Sequence, residues 1–209
     1  MLRPAPFRFA GCSCALLGWL LISGWATAQT SPSDLTAFNR RRVELNRLGV
    51  IALGTWAVGN VGVSVLRAGQ VGGQDRYFHR MNLYWNVVNL TLAGFGYYQA
   101  LREDPGALGA FASLKAQYST EKILLFNAGL DVGYVLGGLY LTERANRFGA
   151  GKQHDQLRGF GRSVVLQGGF LLVFDVASYL VHHHHLGQSK SLFDNLTFSG
   201  SSAGILLRF

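Results

Sequence analysis

Asp131 and Asp175 each stand inside a long apolar stretch, accompanied by side-chain amides at helical spacing. A carboxylate at mid-bilayer costs about 2.5–3.5 kcal/mol on insertion scales, so such a group must be hydrogen-bonded, protonated or set beside water. The chemistry open to it is ligand binding through hydrogen bonds, or uptake and release of a proton. Asn82, Asn86 and Asn89 recur at i, i+4 and i+7, which places them on one helix face. Asn127, Asp131 and Tyr134 share a second face, Gln167, Asp175 and Ser178 a third, and Asn46, Asn60 and Ser64 a fourth. With no water to solvate them, four polar stripes should turn toward one another. The candidate ligand-binding set is therefore Asp131, Asp175, Asn89, Asn86, Asn127, Tyr134, Gln167 and Asn60. The competing reading is polar glue, since interhelical hydrogen bonds in membranes average about 0.6 kcal/mol and a bundle can use several for specificity.

Counting ~1.5 Å per residue along antiparallel neighbours sorts these groups by depth. Asn60, Asn86 and Gln167 fall toward one face of the membrane, and Asn89 and Asp131 fall near its middle. Asn127, Asp175 and Asn46 fall toward the other face. Gly129, Gly133 and Gly137 form a Gly-x-x-x-Gly-x-x-x-Gly ridge on a different side of the same helix as Asp131. Such a ridge permits close backbone approach, either inside the bundle or between two copies of the chain.

His182-His183-His184-His185 ends the last apolar stretch. Only His182 and His185 share a helix face, so a weak surface metal site near Asp194 competes with an interfacial histidine run, and the latter is favoured. His79 and His154 fall at the opposite face of the membrane, which leaves no bis-histidine pair at one depth for haem. The chain has no His-Glu-x-x-His, no phosphate-cradling glycine loop ending in Lys-Ser/Thr and no nucleophile elbow. No catalytic residue or cofactor is assigned, and an enzyme stands third among the readings.

The elements that must position these groups follow from composition. The 209 residues are 49 % apolar and only 14 % charged, with 27 glycines, against about 25 % charged in a soluble domain. A net charge of +8 comes mainly from arginines at the ends of apolar runs, where they meet lipid headgroups rather than nucleic acid. Residues 1–28 have a basic start, a short apolar middle and Ala26-Thr27-Ala28, the pattern of a cleaved secretory signal. Its removal takes away Cys12 and Cys14 and leaves no thiol for disulfides, zinc or nucleophilic catalysis.

Four stretches of spanning length follow, at 48–66, 83–101, 123–141 and 163–181. Residues 29–47 read as a juxtamembrane amphipathic helix opening at Ser31-Pro32, and 48–186 as a four-helix transmembrane domain. Residues 187–209 read as an extracytoplasmic tail with a β-hairpin around Gly200-Ser201-Ser202. Asp104-Pro105 reads as a helix start, with Leu108, Phe111, Leu114 and Tyr118 on the buried face of a short surface helix. Basic residues divide almost evenly between the loops, so orientation rests on the signal alone. High glycine, many aromatics and a C-terminal Phe209 also suit an outer-membrane β-barrel. Unbroken apolar runs such as Phe170-Leu171-Leu172-Val173-Phe174 favour helices over alternating strands.

Leu124-Leu125-Phe126-Asn127-Ala128-Gly129-Leu130-Asp131-Val132-Gly133-Tyr134, Leu157-Arg158-Gly159-Phe160-Gly161-Arg162 and Gln167-Gly168-Gly169-Phe170 resemble an uncharacterised family of small exported membrane proteins of Bacteroidota-type bacteria. The resemblance implies a four-helix membrane fold and no activity. The expectation is thus an all-α, polytopic membrane bundle in the bacterial inner membrane, exposed to lipid and free of nucleic acid. Its interior Asp/Asn site would bind a small ligand or couple a proton. The alternatives are an accessory subunit that forms a homo-oligomer through the glycine ridge, and an outer-membrane barrel.

Overall fold

The computed structural model describes residues 31–194 and the backbone of two short strands beyond them. The signal segment 1–28 lies outside the described residues. Four long helices account for most of the described residues: α1 (Pro32–Ala68), α2 (Gly73–Arg102), α3 (Ala110–Ala145) and α4 (Lys152–Gln188). A 3-10 turn at Lys190–Leu192 leads to an antiparallel hairpin of β1 (Leu196–Ser199) and β2 (Ser202–Ile205), with Leu196 opposite Ile205 and Ser199 opposite Ser202. The architecture is an all-α four-helix bundle, and the barrel alternative is not supported. Apolar side chains cover each helix on several sides rather than on alternate residues, which suits helices surrounded by apolar neighbours or lipid.

The interior inverts the usual arrangement. The largest fully buried side chains are Gln117, Gln167, Asn39, Asn82, Asn86, Ser64, Ser113 and Ser163, all polar. Large apolar residues such as Val65, Leu66, Phe95, Phe126, Leu136 and Val173 point outward. In water this distribution would forfeit most of the stabilisation that apolar burial brings. α1, α3 and α4 are long and apolar enough to cross a membrane. Three helices meet that test, not the four expected. α2 falls short because its inner face carries Asn82, Asn86 and Asn89, although its outer face presents Val87, Val88, Leu92 and Phe95.

Residues 32–47 form the first turns of α1, continuous with the apolar stretch. One boundary differs from the sequence reading: the surface helix expected after Asp104-Pro105 is the start of α3, which begins at Ala110 behind Gly109. The Asp104 carboxylate accepts the Gly106 N–H at 2.9 Å and so closes a turn instead of capping a helix. Ser113, Gln117 and Glu121 follow at i, i+4 and i+8 and turn inward, so this segment packs on the bundle. At 36 residues, α3 is about 54 Å long, well beyond the ~30 Å hydrocarbon core. The bundle therefore has polar turns to spare beyond one end of the apolar stretches.

Close packing is concentrated where glycines let backbones meet. A Cβ at Gly138 of α3 would lie 2.7 Å from the Gly161 carbonyl oxygen of α4, and one at Gly159 would lie 2.8 Å from the Phe78 nitrogen of α2. Only glycine fits at these two crossings. α3 packs on α4, α4 on α2 and α2 on α1, whereas the α2 and α3 backbones stay apart and meet through side chains such as Trp85 and Tyr134. The far end of the bundle is closed by a small apolar cluster of Phe38, Leu186 and Phe193.

Candidate functional site

The polar interior is arranged in layers along the bundle axis. Nearest the Gly159 crossing lies an amide layer. The Asn82 Nδ2 donates to Asn60 Oδ1 and to Ser64 Oγ, each at 2.9 Å. Gln167 Nε2 donates to Asn82 Oδ1, and its own Oε1 accepts the Trp56 indole N–H at 2.9 Å. Asn60 Nδ2 donates to the Trp56 carbonyl at 2.9 Å, and Asn86 Nδ2 to the Asn82 carbonyl at 2.7 Å. One glutamine on α4 thus links α1 and α2, and the bonds of Asn82 to Ser64, of Asn86 to the Asn82 carbonyl and of Gln167 to Asn82 are buried.

At mid-bundle stand two carboxyl groups, Asp131 on α3 and Asp175 on α4. Both residues are buried, as is Asn89 of α2 nearby in depth. They line a cavity of about 870 Å³ bounded by all four helices, which also takes in Asn46, Asn127 and Tyr134. Its volume falls in the ~300–1,000 Å³ range of small-molecule sites. The walls are otherwise apolar, with Leu53, Trp85, Leu124, Leu171 and Phe174 among them. Trp85 of α2 and Tyr134 of α3, both in its wall, meet edge to face at 4.8 Å between ring centres.

Beyond the apolar stretches a polar crown covers the bundle end. Asn39 Nδ2 of α1 donates to Ser113 Oγ of α3 at 2.8 Å. The buried Arg42 pairs with Glu103 at the end of α2. Gln117 Nε2 donates to Glu121 Oε1 at 2.9 Å and to the His182 carbonyl at 2.8 Å. Burial holds the His182 imidazole at about 4, with His185 and Arg42 adding to the depression and Glu121 opposing it. His185 is also lowered by burial, and its Nε2 lies 3.2 Å from the Phe38 carbonyl while its ring stacks on Phe38.

Three polar atoms of cavity-lining residues have no hydrogen-bond partner: Asn89 Nδ2, Asp131 Oδ2 and His182 Nδ1. An unmade hydrogen bond in a buried place costs about 1–3 kcal/mol, so these atoms mark where a bound molecule would gain most.

Of the sequence-predicted set, Asn60, Asn86 and Gln167 fall in the amide layer, while Asp131, Asp175, Asn89, Asn127 and Tyr134 surround the cavity. Asp175 lies level with Asp131 rather than a layer above it. Gly129, Gly133 and Gly137 face outward, with nothing within 4 Å of a Cβ built on any of them; the bundle contacts use Gly138, Gly159 and Gly161. His185 turns to the Phe38 carbonyl while His182 Nδ1 has no partner, and no cluster of three metal-ligating side chains occurs among the described residues. Sequence reasoning missed Trp56, Gln117, Glu121, Asn39 and the Arg42–Glu103 pair. The signal for the crown was the Ser113, Gln117, Glu121 repeat, which runs one residue before Leu114 and Tyr118, the apolar residues that drew attention instead.

Comparison with curated proteins and with solved structures gives no match. Residues 52–176, which carry the amide layer, the carboxyl pair and most of the cavity wall, match the model of a domain family, and the chain belongs to that Family of unknown function (DUF6992).

Proposed function

We propose that the protein is a multi-pass protein of the bacterial inner membrane, reached through the cleaved segment 1–28, that binds a small ligand or couples a proton at Asp131 and Asp175. In this reading α2 is a fourth crossing, turned with its asparagines inward and its valines and aromatics toward lipid. The observation that carries the proposal is the cavity itself. A scaffold needs polar contacts between helices, but it does not need about 870 Å³ of space beside a carboxyl pair. Two buried carboxyls lining one cavity and an unpartnered Asn89 amide beside them suit binding and release better than permanent glue.

The test is native mass spectrometry of the protein extracted in mild detergent from its own membrane. The expected result is a chain beginning near Gln29 that carries extra mass, lost in Asp131→Asn while the melting temperature holds. If Asp131→Asn merely lowers the melting temperature and neither form carries added mass, the binding reading fails. A second reading, an accessory subunit that pairs with its own copy, draws support from the outward Gly129/Gly133/Gly137 ridge.

A further inference from the structure

The cavity has a mouth between α2 and α3, whose backbones stay apart. Its edges are Tyr84, Val88 and Leu92 on α2 and Ile123 and Leu130 on α3, each lining the cavity while remaining exposed. On the membrane reading proposed above, on which this inference rests, that mouth opens sideways into hydrocarbon rather than upward into water. A molecule using it must be at home among lipid tails.

The polar groups inside restrict what its head can be. Asp131 and Asp175 line the cavity, the Glu103 there is already paired with Arg42, and no Lys or Arg lines it, so a phosphate or carboxylate head would meet like charge without a free counter-ion. Asn89 Nδ2 and Asp131 Oδ2 are each without a partner, on residues only 4 % and 2 % exposed. The first needs an acceptor, and the second can accept from a donor. A hydroxyl answers both, accepting from the amide and donating to the carboxyl. A carbonyl head would leave the carboxyl oxygen unanswered, and an ammonium head would leave the amide unanswered.

We infer that the cavity admits a neutral long-chain lipid alcohol from the side, between α2 and α3, and seats its hydroxyl between Asn89 and Asp131. The chain lies along the apolar wall formed by Leu124, Leu171 and Phe174. The polar site then reads the head, and the cleft reads the tail.

The experiment places the full chain in lipid nanodiscs with a diazirine-bearing hexadecanol, and in parallel with the matching diazirine fatty acid. Photolysis should attach the alcohol to peptides covering 84–92 and 123–130, and unlabelled hexadecanol should compete. Labelling should fall about tenfold in Asn89→Leu, the effect of one buried hydrogen bond left unmade. Val88→Trp, at an exposed position, should block labelling by filling the mouth without touching a polar atom. Equal labelling by the fatty acid would overturn the choice of head, and labelling that survives both variants would overturn the cavity as its location. If neither probe labels the cavity while mass spectrometry still finds Asp131-dependent added mass, this inference falls and the proposed binding function stands. If both signals are missing, both fall.

Discussion

Gly137 and Gly138 are neighbours in α3, roughly 100° apart around the helix, and the same substitution should move stability in opposite directions at the two. A Cβ on Gly138 would sit 2.7 Å from the Gly161 carbonyl oxygen and 2.8 Å from both Val165 N and Val165 Cγ2. Two of these three atoms belong to the α4 backbone and cannot rotate away, so α3 and α4 must separate. Overpacking of this kind costs about 1–3 kcal/mol, and at a backbone crossing the upper part of that range applies. Against it stands the helix-propensity gain of Gly→Ala, at most about 1 kcal/mol. The net expectation for Gly138→Ala is a loss of about 1–2 kcal/mol. At Gly137 nothing lies within 4 Å of the added methyl, so only the gain remains, about 0.5–1 kcal/mol. Unfolding of each variant in mild detergent by stepwise addition of dodecyl sulfate, followed by circular dichroism, measures both. Shifts of the same sign, or no loss at Gly138, would refute the glycine crossing as the contact that holds α3 to α4.

Gln167→Leu removes three interhelical bonds, to Trp56, Asn82 and Asn60, and at about 0.6 kcal/mol each should cost about 2 kcal/mol in the same unfolding assay; a loss near zero would show that the amide layer does not hold the bundle. His182 has its folded pKa lowered from 6.5 to about 4, so the folded form binds fewer protons than the unfolded one between those values. Its contribution is intact above pH 6.5 and fades as pH falls toward 4, by up to about 3 kcal/mol. Thermal melts at pH 7 and pH 5 should accordingly differ more for the native chain than for His182→Gln, and equal differences would contradict the burial of this ring. Gly133→Leu should reduce the size of the particle on a detergent column if the outward ridge joins two copies, and an unchanged size would dismiss that pairing.

Much of the site was legible because hydrocarbon offers polar groups so few alternatives. Asn82, Asn86 and Asn89 had to share a face and had to turn inward, and the structure places all three there, buried. The same logic brought Gln167 to Asn60 across the bundle. It worked less well beyond the apolar stretches, where water is an acceptable neighbour and spacing no longer compels burial. There Ser113, Gln117 and Glu121 turned inward while Tyr118, expected on the packed face, is exposed.

By itself the sequence determined the helical class and the inward direction of each polar stripe, because both follow from local periodicity and from the cost of a bare polar group in lipid. It also marked Asp131 and Asp175 as the charges most in need of company. Only the tertiary structure decided which glycines make contact, since Gly137 and Gly138 are equivalent until a second backbone passes beside one of them. The same holds for the gap between α2 and α3. A cavity is the space that helices leave when they pack at one place and not at another, and no stretch of one chain records the distance to its neighbour.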